Sequence, residues 1–246
     1  MEPNCEICSH EGVSHRPPYR PNFGVFETMR TYGHDIFKLD KHLERLQKSA
    51  SVIGMKLPKN LDEIRRQVLE KIDGSDIRIR LVVTPDEVVI ETYPLEIDPA
   101  IYEGVHAVCI NVEREKPEAK AFPYDKCVEA HNEAEKQGCY EAILVDRDGF
   151  VREGAYSNIF WINDGQIFTN DKNILQGVTR ETVIELTDCK FAEITPEELR
   201  RADEVFLTKT TTGPVPIIEI DGVRIGDGKA GAGFYNLSQS CSKIDF

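Results

Sequence analysis

No apolar run in the 246 residues approaches the length needed to cross a bilayer, so no membrane-spanning helix is expected. The opening "MEPNCEICSHEG" has neither the basic start nor the apolar stretch of a secretory signal, and the expected compartment is therefore the cytoplasm. Low-complexity tracts and internal repeats are missing too, which sets aside disordered linkers and solenoid arrays. Positive charge is in short supply: 30 Lys and Arg stand against 43 Asp and Glu, a net charge of −13. Such a field repels nucleic acid and anionic membranes, so an anionic ligand must be held by particular basic side chains and backbone amides. The cysteines do not make an even set. Seven thiols without a secretory signal are expected to stay reduced rather than form a disulfide framework. Cys5, Cys8, His10 and His15 form C-x2-C-x-H-x4-H, a candidate set of zinc ligands. A structural zinc site normally draws on two separated ligand pairs, so incidental thiols are the default and no metal is assigned.

What is present is ordinary for a soluble globular chain, with 40% hydrophobic and 30% charged residues, enough for one large domain or two of usual size. "FGVFETMRTYGHDIFKL" reads as a hairpin turning at Tyr32–Asp35. In "DKHLERLQKSASVIGM", Asp40 is placed as a helix cap, Leu43, Leu46, Ala50 and Ile53 recur at helical spacing, and Gly54 stops the helix. A second helix is expected over roughly residues 61–72, then strands in "DIRIRLVVT" and "EVVIETYPL". At "EIDPAIYEG" the pattern lapses around a proline, which marks a linker. The expected domains are therefore 1–97, with an irregular Cys/His/Pro-rich start over 1–20, and 98–246. The second opens on the strand "GVHAVCINV" and a helix whose face carries Tyr124, Cys127, Val128, His131 and Ala134. Further strands, "YEAILVD" and "DEVFLTKT", bracket a helix at "GVTRETVIEL". Strands and helices interleaved in two blocks predict an α+β protein of two domains, the N-terminal one smaller.

The stretch "RDGFVREGAYSNIFWINDGQIF" has turn signals at both ends, Asp148-Gly149 and Asp164-Gly165, and too many residues between them for one strand. Its middle, "REGAYSN", sets Glu153 among small residues. A buried carboxylate there needs a cation, either a side chain in a salt bridge or a bound group. Upstream, Lys120 stands just ahead of the Tyr124 helix. Lysine used as a nucleophile must be desolvated, whereas most lysines are solvated charges. In "ILQGVTRETV" a glycine and a threonine open a helix, where free amides and the helix dipole favour an anion such as phosphate.

The combination says more than its parts. "VFETMR", "KLDKHLERLQKSA", "EGAYSNIFWINDGQIFT", "ILQGVTRETVIEL", "ADEVFLTKT" and "IDGVRIGDGKAG" follow the order and approximate spacing of the fold-type-IV, pyridoxal-phosphate-dependent aminotransferases. Over residues 22–235 the sequence resembles the family of branched-chain and D-amino-acid aminotransferases and aminodeoxychorismate lyase. The resemblance implies pyridoxal 5'-phosphate (PLP) held at the domain junction, amino acid and 2-oxo acid substrates, and a homodimer. It implies that Lys120 bonds the cofactor and then moves a proton, and that Glu153 keeps the pyridine nitrogen protonated. Tyr124 matches the tyrosine that hydrogen-bonds the cofactor's phenolic oxygen. Arg45, in "HLERL", matches the phosphate-binding arginine, and a guanidinium fork suits a dianion. The backbone amides of Val178 and Thr179 and the side chain of Thr210 would complete the phosphate cup.

For substrate, Arg80 falls where branched-chain members carry an arginine for the carboxylate, and Arg78 where they have tyrosine. Alternation puts both on one strand face, which could equally be solvated. The backbone of Thr211 and Thr212 would add contacts, although "TKTTTGPVP" departs from the small-residue pattern of the family. Pro123 stands where members commonly have asparagine. The loop after Arg80 is reduced to "TPDE", and D-amino-acid enzymes take their carboxylate-trapping arginine from that loop. The reading that results is transfer of an amino group from a branched-chain L-amino acid or glutamate to a 2-oxo acid. Two alternatives stand beside it: a PLP lyase that releases pyruvate, and a non-catalytic protein that binds a metal or partner through its cysteine-rich start.

Overall fold

The computed structural model describes residues 19–241, and the Cys5, Cys8, His10 and His15 cluster lies outside them. In chain order come β1 (Gly24–Tyr32), β2 (Asp35–Ile36), α1 (Leu39–Val52), α2 (Leu61–Leu69), β3 (Ile77–Val83) and β4 (Val88–Pro94). A 3-10 turn, Pro99–Tyr102, leads to β5 (Val105–Asn111), β6 (Ala121–Phe122), α3 (Asp125–Lys136), β7 (Glu141–Val145) and β8 (Val151–Gly154). Next are β9 (Asn158–Asn163), β10 (Gln166–Thr169), α4 (Val178–Leu186), β11 (Lys190–Phe191) and α5 (Pro196–Leu199). The chain closes with β12 (Glu204–Lys209), β13 (Gly213–Ile220), β14 (Val223–Arg224) and α6 (Ala232–Cys241). The mixture is α+β. No helix among the described residues is long and apolar enough to cross a membrane.

The chain packs as two compact units. The first takes the residues up to Asp98 together with Glu118–Tyr124, and the second takes Pro99–Pro117 and the chain from Asp125 onward. Glu118–Tyr124 goes with the first unit because β6 pairs antiparallel with β1, Gly24 opposite Phe122 and Val25 opposite Ala121.

In the first unit the sheet runs β2-β1-β3-β4, with β6 on β1. Period-two alternation sends Val25, Glu27 and Met29 of β1 to one face. Val25 and Met29 pack there with Ile79, Leu81 and Val83 of β3 and with the apolar stripe Leu39, Leu43, Leu46 and Ala50 of α1. Phe26, on the opposite face, packs with Val82 and Phe122. Asp40 is not the cap of α1. That position is Lys38, in the left-handed region with no side-chain cap bond, while Asp40 sits in the first turn, where a carboxylate favours the helix dipole. At the far end Gly54 takes a φ of +71°, which glycine adopts without strain.

The second unit is built on a nine-stranded sheet in the order β11-β10-β9-β12-β13-β5-β7-β8, with β14 on β13. β5 runs parallel to both β13 and β7. One core gathers Ile143, Val145, Trp161, Val205, Leu207 and Ile217. On another side Phe160 and Phe206 stack at 4.9 Å beneath Val183 of α4 and Phe234 and Leu237 of α6. The long stretch after Asp148-Gly149 is two strands with different partners: β8 pairs with β7, while β9 pairs with β10 and β12. The break falls just after Glu153-Gly154. Asp164 and Gly165, both at positive φ, close the β9–β10 hairpin as their sequence suggests.

Candidate functional site

In the first unit Lys120 is held from both sides of its own backbone. Its N–H donates to Ser49 Oγ of α1 at 3.0 Å, and its carbonyl accepts from Phe26 N–H of β1 at 3.0 Å. The side chain is half-buried, with Nζ 4.6 Å from the centre of the Phe26 ring and 5.9 Å from that of Tyr124. Phe26 and Tyr124 meet edge to face at 5.1 Å. Tyr124 thus precedes α3 rather than lying on it, and it joins Lys120 through an aromatic cluster instead of a helix face.

Arg45 lies on α1 one turn before Ser49. Its Nε and Nη2 donate to the two oxygens of Glu27, each at 2.7 Å, and His42 Nδ1 donates to Glu27 at 2.8 Å. Glu27 and His42 are fully buried, and His42 Nε2 has no hydrogen-bond partner. Burial alone would push the Glu27 carboxyl up, but the Arg45 charge and the bonds from Arg45 and His42 outweigh it and hold it down at about 2. Burial lowers His42 against the pull of Glu27, and the Arg45 and Lys120 charges add to the lowering, which favours the neutral imidazole. A carboxylate on the core-facing side of β1 therefore fixes the plane of the Arg45 guanidinium.

Arg80 and Arg78 are both half-buried, so their strand face is not simply solvated. Arg80 lies over Phe26 and Phe122, at 5.4 and 5.8 Å. One of its amines donates to the Tyr19 carbonyl at 3.1 Å, and Glu91 stands 3.6 Å from Nε. Desolvation lowers its pKa, opposed by Glu91. Arg78 instead stacks on Tyr93 at 4.7 Å.

In the second unit Glu153 is almost completely buried at the end of β8. It ion-pairs with Arg114, itself nearly buried, and its other oxygen accepts from Leu175 N–H at 3.0 Å. Asn158 links the same elements through a 2.8 Å bond to the Leu175 carbonyl. The cation that the sequence required beside Glu153 is thus present as a side chain. Two residues past Leu175, Gly177 is the N-cap of α4 and makes no side-chain cap bond. A Cβ there would fall 2.1 Å from Asn158 Oδ1, so glycine is what lets the start of α4 approach β9. Val178 and Thr179, both buried, follow in the first turn. Thr208 at the end of β12 stands opposite Asn158, and Thr210, Thr211 and Thr212 continue from there. Thr210 is half-buried, the other two are buried, and the Thr212 carbonyl accepts from the Tyr102 hydroxyl at 2.9 Å.

A second buried acid, Glu141, accepts from Ser157 Oγ at 2.8 Å and faces Lys209 Nζ at 3.5 Å. Burial would raise its carboxyl, but the Lys209 charge, the His131 ring and Ser157 outweigh that and draw it down to about 2. Unfolded, this carboxyl titrates near 4.5. The stabilisation is therefore complete above pH 4.5 and is lost as pH falls through 2, and it is on the order of 3 kcal/mol. Glu141→Gln should melt earlier than the native chain at neutral pH, and the gap should close on acidification toward pH 2. Urea midpoints measured across that range check this; a gap that stays constant contradicts it.

Glu27, Ser49, Arg114, Glu141 and Lys209 are absent from the residues singled out in the sequence. Glu27 and Ser49 have a local signal: Glu27 sits at the core-facing parity of β1 between Val25 and Met29, and Ser49 on the apolar face of α1 beside Leu46 and Ala50. Among the described residues no cluster of His, Cys, Asp and Glu could hold a metal ion.

The chain is similar to known proteins in sequence and in fold. Residues 24–220 match the model of amino-transferase class IV. A D-alanine aminotransferase of Bacillus licheniformis is 32% identical, over 87% of this chain and 84% of its own. A branched-chain-amino-acid aminotransferase of Pseudomonas aeruginosa is also 32% identical, over 85% of this chain and 79% of its own. A branched-chain amino acid aminotransferase of T.th., solved with pyridoxamine 5'-phosphate, superposes with a TM-score of 0.81 at 28% identity, covering 89% of this chain and 83% of that one. The same enzyme has been solved with N-(5'-phosphopyridoxyl)-L-glutamate. The family match spans most of the chain, from β1 through β13, so the chain belongs to the class IV aminotransferases.

Proposed function

We propose that this aminotransferase uses PLP to move the amino group of an L-amino acid, of the branched-chain class or glutamate, to a 2-oxo acid. The setting of Lys120 carries the reading. A solvated lysine needs neither backbone clamp nor aromatic floor, whereas one that bonds an aldehyde needs both placement and partial desolvation. The donor set suits the cofactor group by group: an amine for the aldehyde, a phenol for the phenolic oxygen and a buried carboxylate for the ring nitrogen. For the phosphate there are a guanidinium and a helix N-terminus without a side-chain cap.

When bound, the cofactor supplies a ring that accepts electrons from the substrate α-carbon. Lys120 would bond it and then carry the proton to and from that carbon. Glu153 would hold the proton on the ring nitrogen, and Tyr124 would orient the phenolic oxygen. Arg45, the first amides of α4 at Val178 and Thr179, and the Thr210 hydroxyl would hold the phosphate. Arg80, with Arg78 beside it, would take the substrate carboxylate, and the backbone of Thr211 and Thr212 would add contacts. The short loop after β3 supports L- over D-amino acids, and family resemblance supports a homodimer.

The test is a panel of single L- and D-amino acids given to the PLP-loaded protein, followed by absorbance change to the pyridoxamine form. L-leucine, L-valine, L-isoleucine or L-glutamate should convert it, and a 2-oxo acid should restore it. Conversion by D-alanine alone rejects the substrate reading; pyruvate release that needs no 2-oxo acid favours the lyase.

A further inference from the structure

The cofactor proposed above is a rigid aromatic with its aldehyde and phosphate at a fixed separation. A lysine and an arginine that serve those two groups must be held at a matching separation, and long flexible side chains do not achieve that unaided. Helix α1 offers the means. Arg45 and Ser49 are four residues apart, one above the other on the same face, about 6 Å along the axis. Arg45 is fixed in plane by Glu27, while Ser49 accepts the backbone N–H of Lys120 at 3.0 Å. Phe26, the neighbour of Glu27 on β1, donates its N–H to the Lys120 carbonyl. One helix and one strand thus grip both residues.

Ser49 stands out within this arrangement. It is fully buried beside Leu46 and Ala50, where a hydroxyl is unfavourable unless bonded and alanine is the better helix former. Lys120 lies one residue ahead of β6, just outside the ladder that β6 makes with β1. The Ser49 oxygen supplies an acceptor for its N–H that the sheet does not.

We propose that Ser49 is a positioning residue for Lys120, and that through it α1 sets the lysine against the Arg45 guanidinium. This rests on Lys120 and Arg45 being the cofactor's lysine and phosphate arginine. Ser49→Ala and Ser49→Thr, the second keeping the oxygen, are compared with the native protein, each loaded with PLP. Borohydride reduction and peptide mapping should place the cofactor on Lys120 in all three. At saturating PLP the half-reaction of Ser49→Ala with its amino donor should slow by roughly 10- to 100-fold per folded molecule. The pH at which the bound cofactor changes colour should move with it. Ser49→Thr should recover most of both.

A purely structural serine gives a different pattern. Ser49→Ala then melts lower, but its half-reaction per folded molecule and its spectral pH dependence stay native, and the proposal is overturned. If the native protein itself traps no cofactor on Lys120, the underlying reading fails and the proposal falls with it.

Discussion

Lys120→Ala should fold like the native chain, bind free PLP weakly and carry out no repeated turnover. The substitution leaves untouched the two backbone bonds that hold position 120, from Phe26 N–H and to Ser49 Oγ, so the pairing of β6 with β1 survives. It removes the amine that bonds the cofactor and, in the proposed mechanism, carries the α-proton. Loss of both functions at once should lower the rate by roughly 10,000-fold or more. In the proposed mechanism Arg45 and the first amides of α4 would still hold the phosphate, so weak cofactor binding is expected to persist after turnover is lost. Lys126, six residues on, is one competitor. Its amine is well exposed and donates to the Glu113 carbonyl at 3.1 Å, the setting of a solvated charge. If peptide mapping after borohydride reduction finds the label on Lys126 or Lys116, the register across Pro123 is wrong and Lys120→Ala should stay active.

The parts of this molecule that can be read from sequence are those set by short-range rules. The β1–β2 hairpin, the α1 stripe, the Gly54 stop and the β3–β4 pair follow from periodicity and turn residues, and all four are present. Asp40 reads as a cap because cap statistics describe an average helix, whereas α1 starts directly after a left-handed Lys38 that no propensity anticipates. Tyr124 matches helical spacing with Cys127 and His131, yet it stops short of α3 and packs edge-on to Phe26. That contact spans nearly a hundred residues of chain. Glu27 and Ser49 belong to the same difficulty: each occupies a position that periodicity reserves for an apolar side chain. A polar residue on a core-facing stripe is a local anomaly, but its partner, Arg45 or Lys120, is chosen by the fold. Glu153 is legible as a buried acid in need of a cation. That Arg114 supplies one is not, since nothing in "VEREKPEAK" marks which charge turns inward.

Arg114 sharpens the expectation for Glu153→Gln. The ion pair gives the carboxylate a structural role of its own, and in that role the single substitution would act mainly by taking a charge partner from a nearly buried guanidinium. If Glu153 also holds the proton on the cofactor's ring nitrogen, glutamine keeps the shape and a hydrogen bond but loses the charge that retains that proton. The step that draws electrons from the α-carbon should slow by orders of magnitude, while cofactor attachment through Lys120 and Arg45 persists. The two roles separate in a second variant. Pairing Glu153→Gln with Arg114→Met removes both members of the ion pair, so the melting midpoint should lie above that of the single variant. The half-reaction should not return with it. Single-turnover rates per folded molecule, set beside melting curves for the single and double variants, distinguish the two roles. Recovery of both rate and stability in the double variant assigns Glu153 to the salt bridge alone; recovery of stability without rate places its carboxylate on the cofactor.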